Sequence, residues 1–268
     1  MSVSDLAPFF FPPRKLIHPP WGGTRLSSLG WCGEVGERIG ESWEFQGNTE
    51  LTLLIKFLDI GGVLSVQVHP NDAQARALDG QPNGKAEAWV VLAASPDACV
   101  AWGLQRDLSV DELRDRAQSG EIEKDLRWVP VQAGDIVDLP PGTIHTTRGE
   151  ILIYEVQQVS DLTYRLYDWG RPRPLHLDKA ALVARRCAET ALPRRVGVGR
   201  VIENSHFVVD RLVVSGAGAG EGLCEAWTVV SGEVVVNGAR VVAGATVVVG
   251  AGRRFFEGEG EVLVAGVR

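Results

Sequence analysis

The chain has 268 residues, 45% of them hydrophobic and 23% charged, with a formal net charge of −7. That length supports one large or two modest cores, and the composition is that of an ordinary globular protein. A negative balance argues against a nucleic-acid or anionic-membrane partner, which needs a strongly basic surface, but leaves room for a small anionic substrate met by a local cluster of Lys and Arg.

The N-terminal stretch MSVSDLAPFFFPPRKL has no basic leader followed by a long apolar run, and no segment reaches transmembrane length, so a cytoplasmic protein is expected. Cys32, Cys99, Cys187 and Cys224 are scattered without CxxC spacing and read as reduced, mostly packed thiols. The thirty-one glycines and the Val-rich runs favour short strands joined by tight turns. In PPWGGTRL, Trp21 sits beside two glycines in a tight turn, and GESWEFQGN places Glu41, Trp43 and Phe45 around a strand. TLLIKFLDI is apolar except for Lys56 and Asp59; the lysine either snorkels to the surface or points at an anion.

Leu64 to Asp72, LSVQVHPND, reads as a strand with Leu64, Val66 and Val68 on one face and Ser65, Gln67 and His69 on the other. Pro70 ends it, and Asn71 with Gln74 three residues on predicts a helix start. In GKAEAWVVL, Lys85 and Glu87 share a strand face that continues through Trp89 and Val91. Residues 108–128 read as a solvated helical excursion opened by a Ser109–Glu112 capping box. Pro140, Pro141 and Gly142 form a rigid turn that delivers His145 to the next strand, and ILIYEVQQ reads as a buried-type strand. Residues 172–200 form a connector with a helix capped by Asp178. Beyond it come glycine-punctuated strands with an Asn237-Gly238 hairpin turn.

The polar residues placed on strand faces are Gln67, His69, Glu87 and His145. Two imidazoles, a carboxylate and a carboxamide oxygen suit a divalent first-row metal, zinc most readily. Lys56, Lys85 and Arg165 would hold an anionic head group or a developing enolate. His18, His176 and His206 read as structural. The PPGTIH turn after a Gly-Asp turn points to a cupin-type barrel. The expected fold is therefore mainly β: two cupin-like jelly-roll barrel or sandwich units with a few short helices. Residues 1–188 form a catalytic unit with the metal site, and residues 189–268 form a smaller C-terminal sandwich.

Across residues 14–180 the sequence resembles the type I mannose-6-phosphate isomerases in their short bacterial form. WGG at 21–23, GESWEF at 40–45, LIKFLDIGGVLSVQVHPND at 54–72, GKAEAWVVL at 84–92, PPGTIH at 140–145 and YEVQQVSDLTYRLYDWGR at 154–171 carry the resemblance. It implies one zinc ion per chain held by Gln67, His69, Glu87 and His145. It implies site roles for Lys56, Lys85, Asp161 and Arg165 and a phosphate-side role for Ser65, and Trp21 and Glu41 fall in matching motifs. The implied reaction interconverts mannose 6-phosphate and fructose 6-phosphate through a cis-enediol(ate), with a small sugar phosphate as partner, no nucleic acid or membrane, and the oligomeric state open. Arg165, Lys85 and Asp161 are the catalytic candidates, and the base that moves the carbon-bound proton is open. The chain departs from the family at Thr146, Thr147 and Arg148, which adds bulk and charge near the expected mouth and leaves their effect on substrate choice open. Alternatives are another phosphosugar isomerase or epimerase, an iron-dependent oxygenase, and a non-catalytic metal- and sugar-phosphate-binding regulator.

Overall fold

A computed structural model describes residues 6–268; the first residues of the N-terminal stretch lie outside the described part. The described chain is mainly β, arranged in three antiparallel sheets with a few short helices. A seven-stranded sheet runs Arg194–Arg195, Asp135–Leu139, Glu87–Ala94, Ile151–Gln158, Leu53–Ile60, Glu41–Gln46, Lys15–Ile17. A five-stranded sheet runs Tyr164–Tyr167, Val66–Val68, His145–Arg148, Cys99–Leu104, Leu126–Pro130. The third sheet is built on the long strands Glu225–Val236 and Gly252–Val267, and Phe9–Phe10 from the chain start joins its edge.

The seven-stranded sheet is buried on both faces. One face packs Leu58, Ile60, Trp89, Val91 and Ile153 against Val100 and Trp102 of the five-stranded sheet. The other packs Ile55, Phe57, Val90, Tyr154 and Val156 against Phe207, Ala226, Val248 and Leu263 of the third sheet. Burial on both sides is why LLIKFLDI and ILIYEVQQ read as continuous runs rather than alternating ones; every residue of both strands is buried. The helices Val110–Ser119 and Leu177–Val183 cover the outer face of the five-stranded sheet, with Leu113, Ala117, Ala180 and Val183 packed on Val66, Val68 and Leu166. The excursion at 108–128 is therefore half-buried cover, not a helix solvated all round.

Local signals produced the expected caps. Asn71 with Gln74, and Ser109 with Glu112, both form reciprocal capping boxes. Asn237 and Gly238 take φ of 50° and 89°, the left-handed pair a tight hairpin requires. One cap differs: the helix starts at Leu177 behind His176, and Asp178 lies inside its first turn, paired with Arg114 at 3.0 Å. The reason is tertiary, because the His176 backbone N–H is already held by the Arg165 carbonyl at 2.8 Å. Among the described residues all four cysteines are free, and Cys187 is exposed rather than packed. Among the described residues no helix is long and apolar enough to cross a membrane.

Candidate active site

The site lies between the five- and seven-stranded sheets, where the inner faces carry polar residues instead of the apolar ones that fill the rest of the interlayer. His145 pairs in register with Gln67, and Gln67 with Arg165, so these three side chains share one face of one sheet. On the opposing sheet Glu155 pairs with Lys56 and with Trp89, two residues along from Glu87. The side chains meet at a cavity of about 350 Å³ whose wall includes Trp21, Glu41, Lys56, Ser65, Gln67, Lys85, Asp161 and Arg165. His69, Glu87 and His145 lie buried beside it, reached through Gln67 and Lys85. The expected site residues are thus gathered in one place.

His69, Glu87 and His145 bring one ligand atom each within 4.8 Å of the others. Glu87 Oε1 is 3.0 Å from His145 Nε2 and 3.5 Å from His69 Nε2. Each ring is aimed by its other nitrogen: His69 Nδ1 donates to the Leu162 carbonyl at 2.8 Å, and His145 Nδ1 to the Thr143 carbonyl at 2.9 Å. In the neutral rings that leaves both Nε2 lone pairs turned toward the carboxylate. Burial, with the Lys85 ammonium adding repulsion, pushes the His69 imidazole down to about 4, so it is neutral at physiological pH. His69 Nε2 and both Glu87 oxygens have no hydrogen-bond partner. Lys85 Nζ, 2.9 Å from Glu87 Oε2, forms an ion pair there rather than an aligned hydrogen bond. Two imidazole lone pairs and a carboxylate that converge in a buried space, with His69 Nε2 and both Glu87 oxygens lacking an aligned hydrogen bond, are what a divalent cation satisfies, so these three residues fit a metal.

Gln67 stands beside this cluster. Its Nε2 is 3.1 Å from His145 Nε2, and its Oε1 accepts from the Ser65 hydroxyl at 3.1 Å. A half-turn of the carboxamide would present the oxygen instead, and the Ser65 hydroxyl can accept as well as donate, so either orientation is satisfied.

The lysines are enclosed. Lys56 does not snorkel: its side chain is 2% exposed, with Glu41 at 3.2 Å, Glu155 at 3.5 Å and Asp161 at 3.6 Å, and its ammonium lies 4.7 Å from the Trp43 ring centre. Burial alone would push Lys85 down, but the Glu87, Glu155 and Asp161 carboxylates outweigh it and hold the ammonium above the ordinary lysine value. Arg165, in contrast, makes no ion pair among the described residues, and its buried Nε has no partner. Burial and then the neighbouring Arg173 hold its guanidinium below the ordinary arginine value.

Glu155, Arg173 and His176 are the ionisable wall residues not expected from the sequence. Glu155 is buried, accepts from Trp89 Nε1 at 2.9 Å and lines the cavity; burial pushes its carboxyl up to about 7 against the pull of the Lys85 ammonium. It went unseen because its strand has no alternation to reveal a face. Arg173 is held by the buried Asp168 carboxylate through Nε at 2.6 Å and Nη2 at 2.7 Å. His176, read as structural, also lines the cavity. The expectation for Thr146–Arg148 is corrected: none of them lines the cavity. The Thr146 hydroxyl donates to the Leu64 carbonyl at 2.7 Å, and Arg148 lies over Trp128 and binds Glu123 at 2.6 Å. Strand alternation turns both away from the face that carries His145.

Gly84 seats the strand that carries Lys85 and Glu87. A Cβ there would lie 2.4 Å from the Pro70 carbonyl oxygen and from the Asn71 carbonyl carbon. Gly84→Ala is expected to cost about 1–3 kcal/mol of stability, read by denaturant unfolding; an unchanged midpoint would mean the two segments part without strain.

Comparison with known proteins agrees with this geometry. The description "Phosphomannose isomerase type I, catalytic domain" matches residues 30–88. The mannose-6-phosphate isomerase ManA of Bacillus subtilis is 34% identical over 214 residues, 65% of this chain and 66% of that protein. The mannose-6-phosphate isomerase of Streptococcus mutans is 39% identical over 155 residues, 54% of this chain and 48% of that protein. The chain thus spans between about half and two thirds of the length of these relatives. Over these stretches the chain is similar to the type I phosphomannose isomerases. In fold, the crystal structure of the Bacillus subtilis mannose 6-phosphate isomerase superposes with a TM-score of 0.76 at 22% identity, covering 97% of this chain and 99% of that one. A zinc-bound mannose 6-phosphate isomerase superposes with a TM-score of 0.73 at 14% identity, covering 98% and 100%.

Proposed function

We propose that this chain is a zinc-dependent aldose–ketose isomerase of the cytoplasm, interconverting mannose 6-phosphate and fructose 6-phosphate. The observation that carries the reading is one cavity that adjoins a buried His69–Glu87–His145 cluster, whose ligand atoms lie within 4.8 Å of one another, and whose wall carries Arg165 without an ion pair. A single zinc ion per chain would be held by Gln67, His69, Glu87 and His145, and would supply Lewis-acid polarisation of a sugar oxygen.

The remaining roles follow from placement. Isomerisation removes a proton from C2 of the aldose, passes through the cis-enediol(ate) and returns a proton to C1. Glu155, in the cavity wall with Oε2 facing the Lys56 ammonium at 3.5 Å, is the carboxylate proposed to carry that proton. Lys85 and Arg165 stabilise the negative charge that develops on the sugar oxygens, and Asp161 keeps Lys56 positioned. Lys56, Ser65, Trp21 and Glu41 bind and orient the sugar phosphate. The division into a site-bearing unit, residues 1–188, and a C-terminal unit, residues 189–268, belongs to the same proposal. Every wall residue falls between Trp21 and His176, and the C-terminal sheet braces the back of the site-bearing sheet.

The test is a coupled isomerase assay on mannose 6-phosphate with chelator-stripped protein, before and after adding zinc. Turnover should vanish on stripping and return with about one equivalent of zinc. Stripped protein that isomerises as fast as the loaded form would overturn the metal assignment. Zinc-loaded protein that binds mannose 6-phosphate without turning it over would favour the regulator.

A further inference from the structure

His176 is tied to Arg165 at two points. Its backbone N–H donates to the Arg165 carbonyl at 2.8 Å, and its ring Nδ1 accepts from the Arg165 backbone N–H at 3.1 Å. An imidazole nitrogen that accepts cannot carry a proton, so the neutral ring has its hydrogen on Nε2. That Nε2 has no partner among the described residues, and the ring lines the cavity beside Arg165 and Arg173. Nothing in the fold uses the donor so created.

We infer that His176 is a substrate-binding residue, a tautomer-locked neutral N–H donor to the phosphate group of the sugar phosphate. The inference rests on the proposed reading of the cavity as a sugar-phosphate site. Its logic is electrostatic. Arg165 already lies near the Arg173 guanidinium and makes no ion pair of its own, and burial with the Arg173 charge outweighs the Asp168 and Asp161 carboxylates. A third cation would add repulsion in the free protein, whereas a neutral donor adds a directed bond to a phosphate oxygen at no such cost.

The groups facing the ring are Arg165 and Tyr164 from the strand, Arg173 from the loop, Lys179 from the following helix and Asp79 from the helix opposite. Lys179 is already engaged by Asp79 at 2.5 Å. Burial, then the Arg165 and Lys179 charges, keep His176 below the ordinary histidine value, against Asp79. A depressed folded value means the neutral clasp is complete above about pH 6.5 and is lost as pH falls through the lower folded value.

The test is steady-state kinetics on zinc-loaded wild type, His176→Ala and His176→Gln, with inorganic phosphate as a competitive inhibitor. Glutamine keeps an acceptor and a donor; alanine keeps neither. His176→Ala is expected to raise KM for mannose 6-phosphate, and Ki for phosphate, by about 10- to 100-fold, with kcat within about twofold. His176→Gln should recover most of both. Wild-type KM should not rise between pH 6.5 and 8, as it would if a cationic imidazole were required. Unchanged KM and Ki in His176→Ala, with wild type active, would overturn the inference alone. So would equal losses in both variants alongside equal drops in melting temperature, which would mark His176 as structural. If wild type proves inactive, melting shifts with added phosphate read the same site: a shift in wild type that His176→Ala lacks keeps the donor role while the isomerase reading falls.

Discussion

Glu87→Ala is expected to destroy both the metal centre and much of the stability of the layer that contains it. Glu87 is 1% exposed and holds together two buried imidazoles and the buried Lys85 ammonium. Removing one partner of a buried ion pair costs about 3–5 kcal/mol, because the other charge stays behind without solvent. Glu155, the nearest remaining carboxylate that acts on Lys85, already answers to Lys56 as well and cannot replace it in full. Turnover should fall by roughly a thousandfold or more, and the zinc content of protein purified with added metal should fall well below one per chain. The double variant Lys85→Met/Glu87→Leu should be less destabilised than Glu87→Ala while remaining as inactive, since it removes both charges and keeps volume. Denaturant unfolding and metal analysis check all three proteins. A Glu87→Ala protein with wild-type stability and full zinc would refute the account of the buried cluster.

Arg165→Ala should behave in the opposite way: large in activity, small in stability. Arg165 has no ion-pair partner, its Nε is buried without a hydrogen bond, and burial with the Arg173 charge outweighs the pull of the Asp168 and Asp161 carboxylates, so alanine removes an under-compensated charge rather than a contact. The His176 clasp uses only the Arg165 backbone and survives the change. The value of kcat/KM for mannose 6-phosphate should fall by about 10²- to 10³-fold, with zinc content unchanged and the unfolding midpoint equal to wild type or slightly higher. Arg165→Lys should recover little, because a lysine point charge cannot reproduce the guanidinium fork. Wild-type kcat/KM in Arg165→Ala would remove Arg165 from the site.

These two contrasting outcomes trace to what each residue touches, and that is also where sequence reading succeeded or failed. Gln67 and His69 were legible because their strand alternates, a polar residue every second position opposite valines, and Glu87 because it shares a face with Lys85 two residues before it. His145 was legible because Pro140 to Gly142 leave the chain one way to go. The capping boxes at Asn71 and Ser109 and the Asn237-Gly238 turn were legible because their chemistry is complete within four residues. Glu155 was not. It sits in ILIYEVQQ, where both sheet faces are buried and no alternation separates the cavity side from the core side. Lys56 in LLIKFLDI left two directions open for the same reason, and only the packed sheets show that it meets carboxylates rather than water.

His176 and Asp178 make the same point from a loop. An aspartate two residues after a histidine looks like a helix cap, but the backbone of Arg165 takes hold of His176 first. Thr146 to Arg148 follow a site histidine in sequence, yet Arg148 ends on Trp128 because alternate residues of a strand face opposite ways.

Sequence by itself determined the β-rich architecture, the turns and caps, and the residue types that meet as the His69–Glu87–His145 cluster, since period, local hydrogen bonding and residue chemistry all act within a few positions. Tertiary structure alone decided which charges are paired. Lys56 and Lys85 are enclosed by carboxylates, Arg165 is left free, Glu155 is drawn into the cavity and His176 is locked in one tautomer. Each of those outcomes depends on strands far apart in the chain meeting across a low-dielectric space, where an interaction between charges is strong and its partner cannot be read from spacing.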